Sequence, residues 1–392
     1  MLQAKNFDLL TSFPKNLFIL FFLSIPLNFN ISEGFYFTNL VSIIVSIIIF
    51  LSLSVQNIIH NQKDFILFFL ISLIILLSLQ SINGVKWIYL FFTFFSFSLL
   101  FKHYKISLNF ILLLFGFSIV LGTFFLYEFV KFSELGYKIS DASFRSSIDL
   151  LGNFNVFGVL ASYAMLVFIH LYFLTNSNCL KIFLILSLPY LFVAEISTLS
   201  RGGILTFISG ILIYYYLNGG LLKNIINSLL IITLIFIFLV AFLDLDFLSI
   251  YNRYSFFEDA TGSGRTILWS YIFSLLDDPN KILFGIGAGA LNIYIPTTED
   301  GLFWNEFVSA HNTYLEFLVQ FGLFGLIPFL FFLYKTHEKI KLIINKDNKI
   351  ILTTLFYVSL ISMLFDSYFF AIQTTAIFSL FFSLFWNGYK LG

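Results

Sequence analysis

Charged residues are scarce in this chain. Only 11% of its 392 residues are Asp, Glu, Lys or Arg, whereas 59% are hydrophobic, and the mean hydropathy is +0.96. Soluble domains carry about 25% charged residues, so we expect lipid rather than water to be the main solvent of this protein. The 21 cations balance 21 anions, and the lack of a basic excess argues against nucleic acid as a partner.

Cysteine and targeting signals are equally sparse. Cys179 is the only cysteine in the sequence, which excludes an internal disulfide and a cysteine metal cluster. Two lysines, Lys5 and Lys15, precede the first apolar run, but no small-residue cleavage site follows it. We therefore predict a retained first span rather than a removed signal peptide.

Long apolar runs are what the chain does contain. A helical span needs about 20 mostly apolar residues, and backbone polar groups in hydrocarbon must be satisfied within the segment, which favours helices. The sequence predicts an all-α integral membrane protein, a single polytopic domain over residues 1–392 with about twelve transmembrane helices. The predicted runs are 16–31, 37–55, 65–81, 87–101, 108–130, 154–174, 181–199, 203–217, 224–243, 307–334, 350–366 and 369–388.

The distribution of lysine and arginine predicts the orientation. With both termini in the cytoplasm, thirteen cations lie inside and eight lie outside, and the five lysines within 335–349 are the strongest anchor. The long polar loop 244–306, between the ninth and tenth spans, then faces the periplasm or the cell exterior.

All four arginines fall on the outer side of this topology, whereas every predicted inside cation is a lysine. Orientation requires only positive charge, but a guanidinium can grip phosphate or carboxylate with two parallel hydrogen bonds. The placement of all four arginines on the outer side indicates that they bind an anionic ligand there. The alternative is that the placement arose by chance in a chain with many more lysines than arginines. The four residues are Arg145, Arg201, Arg253 and Arg265.

Arg201 lies between two apolar runs that are joined by almost no loop. Gly202 and Gly203 follow it and permit close approach of a backbone or a ligand, while free amides at a helix start favour anions. This pattern predicts an anion site near the membrane surface. The alternative is a tight turn with a snorkelling arginine, in which Glu195 forms a structural ion pair with Arg201.

Arg265 follows a Gly-Ser-Gly turn and begins a short apolar helix that could lie on the outer leaflet. Asp277 and Asp278 end this helix; they could bind a metal ion or form a solvated helix end. The following string 285–289 (GIGAG) lacks the spacing of a dinucleotide-binding fingerprint. We interpret it as an irregular glycine segment, with Gly287 at its centre, that lets a substrate come close.

His311 is the only histidine predicted on the outer side. Thr313 and Glu316 have the spacing of a capping box, so we expect a helix to start just after His311. A helix N-terminus disfavours imidazolium and favours a neutral imidazole, which can take a proton from a sugar hydroxyl. The alternative is an interfacial histidine that is hydrogen-bonded to backbone.

Two further polar groups lie on the predicted outer side. Arg145 heads a polar segment, 145–155, that could close over a site or simply connect two spans. Asp366 is a lone acid near the outer end of the eleventh span, and ionisable residues in such positions are candidates for function.

Taken together, these segments resemble the O-antigen ligase and O-antigen polymerase family of multi-span membrane glycosyltransferases. The resemblance covers residues 145–335, an O-antigen ligase-like core, and the motifs keep the family's order and spacing. The segments that carry it are 199–203 (LSRGG), Gly264-Arg265 with Trp269, 283–289 (LFGIGAG), 310–316 (AHNTYLE), 322–325 (GLFG) and 152–155 (GNFN), in which Phe154 stands where proline is common.

The resemblance implies an enzyme of the outer face of the plasma membrane that uses no cofactor, no metal and no nucleotide sugar. Its donor would be a polyprenyl-diphosphate-linked glycan, and its acceptor lipid A-core or a second lipid-linked glycan. Arg201 and Arg265 would bind the donor diphosphate, and His311 would deprotonate the acceptor hydroxyl, so that direct displacement inverts the anomeric centre. We expect supporting roles for Arg145, Glu195, Gly287, Asn312 and Tyr314.

These motifs do not distinguish a ligase from a polymerase. The compact chain and the His311 segment favour ligation to lipid A-core, and a repeat-unit polymerase for O-antigen or capsule is the alternative within the family. A transporter or flippase for polysaccharide precursors is a different class, and it predicts polar residues along the middle of several spans. Most predicted spans have Phe, Leu, Ile and Ser there, which disfavours a translocation path.

Overall fold

The fold is helical throughout the part of the chain that the computed structural model describes, apart from turns, short connections and one small hairpin. The sequence predicts this helical character because its apolar runs are long and uninterrupted. The described residues are 15–26, 30–32, 35–55, 62–81, 84–104, 106–129, 154–198, 200–219, 265–291, 309–366 and 372–388.

Eight helices and the hairpin precede the long loop in the described ranges, and five helices follow Gly264. Strands β1 (Asn30–Ser32) and β2 (Phe35–Tyr36) pair antiparallel between the first two helices. The helices are α1 (Lys15–Ser24), α2 (Phe37–Val55), α3 (Gln62–Leu77), α4 (Val85–His103), α5 (Leu108–Phe129), α6 (Phe154–Leu174), α7 (Asn178–Ser197), α8 (Arg201–Leu217), α9 (Arg265–Ser274), α10 (Pro279–Phe284), α11 (Thr313–Lys341), α12 (Lys346–Ser362) and α13 (Ile372–Asn387).

Four of the described helices, α4, α6, α7 and α11, are long and apolar enough to cross a membrane. Shorter apolar helices accompany them, and the prediction of a helical membrane protein is confirmed. Eleven of the twelve predicted runs coincide with a helix in the described ranges, while the ninth run, 224–243, lies outside the described residues. The number of spans therefore stays a prediction.

Two boundaries differ from the predicted runs. The helix in the first run ends at Ser24, because Pro26 lacks the amide hydrogen that would continue it, and Asn30–Ser32 at the end of that run forms a strand. The helix in the tenth run continues to Lys341, so that half of the predicted lysine loop belongs to its last turns. Lysines near a helix C-terminus are favoured by the helix dipole, and Lys341 also pairs with Glu338 over 2.8 Å.

Polar N-cap residues define where several helices begin. Each N-cap side chain accepts a hydrogen bond from an amide two or three residues further on, which satisfies one of the donors that a helix start leaves without a partner. Because of these caps, α8 begins at Arg201 and α11 begins two residues after His311. The N-cap residues are Ser177, Ser200, Asp278, Asn312 and Asn345.

Hydrogen bonds between apolar helices hold the scaffold together. Three residues at four-residue spacing on α13 face α4. Ser379 Oγ lies 2.9 Å from the Thr93 hydroxyl, Ser383 Oγ donates to Phe94 O over 2.9 Å, and Asn387 Nδ2 donates to Ser98 Oγ over 2.9 Å. The buried helix α6 is packed by α5, α7 and α8, and its Tyr163 hydroxyl donates to Ser359 of α12 over 2.7 Å. Polar contacts of this kind fix helix register where lipid provides no hydrophobic driving force.

The glycine segment 285–289 packs against α11 at a kink in that helix. Gly322 has φ +63° and ψ −160°, a conformation that is essentially restricted to glycine. The carbonyls of Val319 and Gln320, next to the kink, accept hydrogen bonds from Ile286 N over 2.8 Å and Gly287 N over 3.0 Å. The segment after α10 is therefore bound to the helix that carries the predicted site histidine at its start.

Candidate active site

The candidate site is built around the turn that precedes α11. His311 has φ +47°, and within the described ranges it is the non-glycine residue in the left-handed region. This conformation costs of order 1–3 kcal/mol and persists only where surrounding contacts impose it. Backbone strain of this kind concentrates at functional sites, which agrees with the histidine that the sequence points to.

The end of α12 supplies part of those contacts. A helix leaves its last four carbonyls without partners, and the start of α11 donates to carbonyls in and just after the last turn of α12. Thr313 N donates to Met363 O over 2.9 Å, and the Thr313 hydroxyl donates to Asp366 O over 2.9 Å. The two helix ends satisfy each other, and this brings Asp366 beside His311.

The predicted capping box is wrong in its partners. Asn312, rather than Thr313, is the N-cap residue of α11, and its side chain accepts a hydrogen bond from Leu315 N over 3.0 Å. Thr313 cannot serve as the cap because it is already the first helical residue. Glu316 accepts instead from Ala310 N over 3.2 Å. The predicted helix start just after His311 is confirmed.

His311 and Asp366 form a contact between two ionisable groups in the candidate site. His311 Nδ1 lies 3.4 Å from Asp366 Oδ1, and the Asp366 side chain is 5% exposed whereas that of His311 is 35% exposed. With its proton on Nδ1, the imidazole donates to the carboxylate and keeps the Nε2 lone pair as a base. A buried carboxylate in this position orients a histidine for general-base chemistry.

Arg201 lies at the same end of the helix bundle as this pair. It is the first residue of α8 and is partly exposed. The next residue, Gly202, faces the end of α12, since a Cβ atom there would lie 3.4 Å from Phe365 Cβ. Because Phe365 directly precedes Asp366, the start of α8 adjoins the His311–Asp366 pair.

Arg265 approaches the site through α9, which it begins. Trp269, one helical turn later, donates from Nε1 to Ala310 O over 2.8 Å. Buried apolar side chains of α9 also pack against the first turns of α11. Since Ala310 directly precedes His311, the helix that carries Arg265 is attached to the histidine turn.

Glu195 lies beneath the start of α8 and is fully buried. Ser162 donates to Glu195 Oε2 over 2.9 Å, while Glu195 Oε1 has no hydrogen-bond partner among the described residues. A Cβ atom on Gly203 would lie 2.2 Å from Glu195 Oε1, so the glycine makes room for the carboxyl group. The hydrogen-bond partner of Glu195 is thus Ser162, where the sequence also allowed a pair with Arg201.

Gly287 is buried against protein. A Cβ atom on it would lie 2.4 Å from Gln80 Cγ and 2.7 Å from Ser78 O, between the turn after α3 and the kinked α11. The close approach that the glycine permits is therefore made by the chain itself at this position. A role of Gly287 toward substrate stays a prediction.

Asn312 and Tyr314 shape the wall between α11 and α12. Asn312 Nδ2 donates to Leu364 O over 3.3 Å, and the Tyr314 hydroxyl donates to Leu360 O over 3.1 Å. Beside them lies an apolar groove of about 590 Å³ between α8, α11 and α12. Its lining residues are Ile213, Tyr216, Leu217, Tyr314, Tyr357, Leu360, Ile361 and Leu364.

The remaining sequence candidates are less informative. Arg145 lies outside the described residues. Asp278 is the N-cap of α10, and exposed Asp277 pairs with Lys281 over 2.7 Å; the Lys281 ammonium holds the pKa of Asp277 below its ordinary value. These two contacts are those of a solvated helix end. No group of three or more His, Cys, Asp and Glu within the described ranges could hold a metal ion.

Residues 182–330 match a family model described as O-antigen ligase. Over this segment the chain is similar to the O-antigen ligase family. The resemblance read from the sequence motifs is thereby confirmed. The O-antigen ligase match runs from α7 into α11 and includes Arg201, Arg265 and His311. Among curated proteins, none matches the chain.

The O-antigen ligase assignment supports a ligase- or polymerase-type function in surface polysaccharide synthesis. Asp366 lies beyond the matched segment, and the sequence motifs do not include it. The one sequence signal for it is a lone acid near the end of an apolar run, which is costly in lipid unless it has a partner. Only the packing of α12 against α11 identifies that partner as His311.

Proposed function

We propose that this protein transfers a polyprenyl-diphosphate-linked glycan to a hydroxyl of lipid A-core as a metal-independent, inverting glycosyltransferase. The observation that carries the proposal is the convergence of three elements at one end of the bundle. These elements are the α8 start with Arg201, the α9 helix with Arg265 and the His311–Asp366 pair. The O-antigen ligase match supports this class of reaction.

The two arginines bind the donor diphosphate in this proposal. Each guanidinium can hold phosphate oxygens with paired, charge-assisted hydrogen bonds. Negative charge develops on the diphosphate as its bond to the sugar breaks, and cations already in place stabilise that charge without reorganisation. Loss of one such contact commonly costs about 10²- to 10³-fold in rate.

His311 acts on the acceptor. Its Nε2 takes the proton of the acceptor hydroxyl while the oxygen attacks the anomeric carbon of the donor. The new carbon–oxygen bond forms as the bond from the anomeric carbon to the diphosphate oxygen breaks, and the electron pair leaves with polyprenyl diphosphate. Attack opposite to the leaving group inverts the anomeric centre. Asp366 stabilises the imidazolium that results.

The apolar groove between α8, α11 and α12 supports a lipid-linked donor. It adjoins the site, because Tyr314 and Leu364 on its wall are close in sequence to His311 and Asp366. An apolar groove that extends from a polar site suits a molecule with a charged head and a hydrocarbon tail. In this proposal the polyprenyl tail occupies the groove while the diphosphate meets the arginines.

The proposed topology places this end of the bundle on the outer face of the plasma membrane. The protein then has about twelve spans, both termini in the cytoplasm and residues 244–306 outside. The cluster of lysines near the end of α11 and the start of α12 supports this orientation, because positive charge is retained on the cytoplasmic side. The apolar middle of most spans argues against a transporter.

Arginine substitutions in a deletion strain test the donor site. We expect Arg201→Ala and Arg265→Ala proteins to lose nearly all glycan transfer while they still insert into the membrane. Lys281→Ala, which removes an exposed cation of the same predicted loop, is the matched control and should transfer normally. Normal transfer by both arginine variants would end the assignment.

Gel profiles of the surface glycan identify the acceptor. Loss of all lipid-A-linked polymer in the deletion strain fits a ligase. A ladder that collapses to a single repeat fits a polymerase, which uses the same donor chemistry with a second lipid-linked glycan as acceptor. Accumulation of untranslocated precursor on the inner face would instead indicate a flippase.

A further inference from the structure

Ala310 is fully buried and is hydrogen-bonded on both sides of its backbone. Its amide donates to Glu316 Oε1 over 3.2 Å, and its carbonyl accepts from Trp269 Nε1 over 2.8 Å. Side chains of two different helices, α11 and α9, therefore hold the residue that immediately precedes the strained His311.

Glu316 is held in turn by a buried amide. Its second oxygen, Oε2, accepts from Gln320 Nε2 over 3.0 Å. Gln320 Oε1 accepts from both Trp87 Nε1 and Gly289 N over 2.8 Å. Two donors at the oxygen fix the orientation of the Gln320 amide, so its NH₂ group faces Glu316. Both carboxylate oxygens of Glu316 are thus hydrogen-bond acceptors.

A carboxylate in this position is unfavourable unless charge and hydrogen bonds compensate its desolvation. Glu316 is 1% exposed, so its desolvation is nearly complete, and the hydrogen bonds from Ala310 N and Gln320 Nε2 are the contacts that compensate it. An apolar side chain could fill the same space without this cost. What the carboxylate does, and an apolar side chain cannot do, is to bind the Ala310 amide and the Gln320 amide together.

We propose that Trp269 and Glu316 are positioning residues that form a clamp on Ala310 and set the geometry between His311 and Arg265. The clamp imposes the left-handed backbone at His311 from both sides of the preceding residue. It also joins α9 to that turn, and Arg265 lies one helical turn before Trp269. The inference rests on the proposed function for the roles of Arg265 and His311.

The NMR signals of the His311 ring report whether the clamp is intact, and they require no transfer assay. In the full-length protein labelled with ¹⁵N-histidine, the His311→Gln variant identifies the His311 ring signals. Trp269→Phe removes the hydrogen bond to the Ala310 carbonyl and keeps an aromatic ring. Glu316→Gln replaces one carboxylate oxygen by an NH₂ group, so its remaining oxygen can no longer accept from both the Ala310 amide and the Gln320 amide. We expect both variants to shift the His311 ring signals.

Trp386→Phe is the matched control, because Trp386 stacks on Phe332 far along α11 from its start. It should leave the His311 signals unchanged. His311 signals that are the same in wild type, Trp269→Phe and Glu316→Gln would overturn the clamp. Where Glu316→Gln does not fold, Trp269→Phe carries the test.

Kinetics separate a clamp from two independent contacts. Misplacing a base by about 1 Å can cost about a hundredfold in rate, so we expect turnover to fall about tenfold to a hundredfold in each variant. Both variants disrupt the same clamp on Ala310. The fall in turnover of the double variant should therefore be smaller than the product of the two single falls. Fully multiplicative losses would show that Trp269 and Glu316 act separately, and the clamp would be rejected.

Binding of undecaprenyl diphosphate to the purified protein distinguishes the clamp from the proposed function. We expect Glu316→Gln to bind this probe as the wild type does, since it disturbs the base. Trp269→Phe should bind it more weakly, since it releases the helix that carries Arg265; wild-type affinity in this variant would contradict the link from the clamp to Arg265. If Arg265→Ala leaves the affinity unchanged, the proposed donor site fails while the His311 signals still decide the clamp.

Discussion

His311 Nδ1 and Asp366 Oδ1 lie 3.4 Å apart although 55 positions separate the two residues in sequence. They meet because the hydrogen-bond donors at the start of α11 and the carbonyls at the end of α12 satisfy each other. The backbone groups at these two helix ends have no partners within their own helices. Their hydrogen bonds to each other therefore bring His311 and Asp366 together in the candidate site.

Asp366→Asn should weaken the proposed base. The substitution removes the charge that stabilises the imidazolium, while the Asp366 carbonyl still accepts from the Thr313 hydroxyl. We expect glycan transfer to fall by about 10²- to 10⁴-fold, the contribution typical of general acid–base catalysis. The measurement is transfer in membranes that contain equal amounts of each protein.

Asp347→Asn is the matched control for that experiment. Asp347 lies in the first turn of α12, at the end opposite to Asp366, and is exposed. It should transfer glycan normally. Near-normal transfer by Asp366→Asn would mean that the carboxylate does not assist His311.

The two glycines after Arg201 should respond differently to alanine. A Cβ atom on Gly203 would lie 2.2 Å from Glu195 Oε1, whereas one on Gly202 would lie 3.4 Å from Phe365 Cβ, an ordinary contact. We expect Gly203→Ala to destabilise the protein by about 1–3 kcal/mol, as overpacking commonly does, and Gly202→Ala to have little effect. Thermal unfolding in detergent measures both.

A double variant tests the cause of the Gly203 effect. Glu195→Ala removes the carboxyl group that the new methyl would meet, so it should recover part of the stability lost in Gly203→Ala. Equal unfolding temperatures for the Gly202 and Gly203 variants would show that Glu195 does not fill the space over Gly203.

Gly322→Ala should disrupt the kink in α11 against which the glycine segment 285–289 packs. Its backbone conformation is strained for any other residue, and a Cβ atom would lie 2.3 Å from the Leu283 carbonyl carbon. We expect a lower unfolding temperature and a large loss of transfer, because α10 can no longer pack against α11. Gly202→Ala serves as the control for the unfolding temperature, since it makes the same chemical change without a close contact. A Gly322→Ala protein with wild-type stability would contradict the observed kink.

Cys179 offers a direct test of orientation. It is the only cysteine in the sequence and is exposed at the start of α7, on the side predicted to be cytoplasmic. We expect a membrane-impermeant maleimide to label it only after the cells are permeabilised. In a Cys179→Ala background, Asn280→Cys, exposed in the first turn of α10, should be labelled in intact cells. The reverse pattern would invert the proposed topology.

The helical architecture is largely readable from the sequence, because hydropathy and capping act over a few neighbouring residues. The start of α8 at Arg201 and the start of α11 just after His311 follow from local polar residues. The end of the first helix and the extension of α11 to Lys341 are harder to read. Apolar runs do not mark the point at which proline stops a helix or a charged segment continues one.

The sequence by itself determined a helical membrane protein with a segment similar to the O-antigen ligase family, and it singled out Arg201, Arg265 and His311 as candidates. Hydropathy, charge and motif spacing are properties of short segments, so they can be read without a fold. Only the tertiary structure decided that Asp366 accompanies His311, that Trp269 and Glu316 hold Ala310, and that Glu195 packs over Gly203. Those relationships depend on which helix ends meet, and helix packing over long sequence separations leaves no periodic trace in the chain.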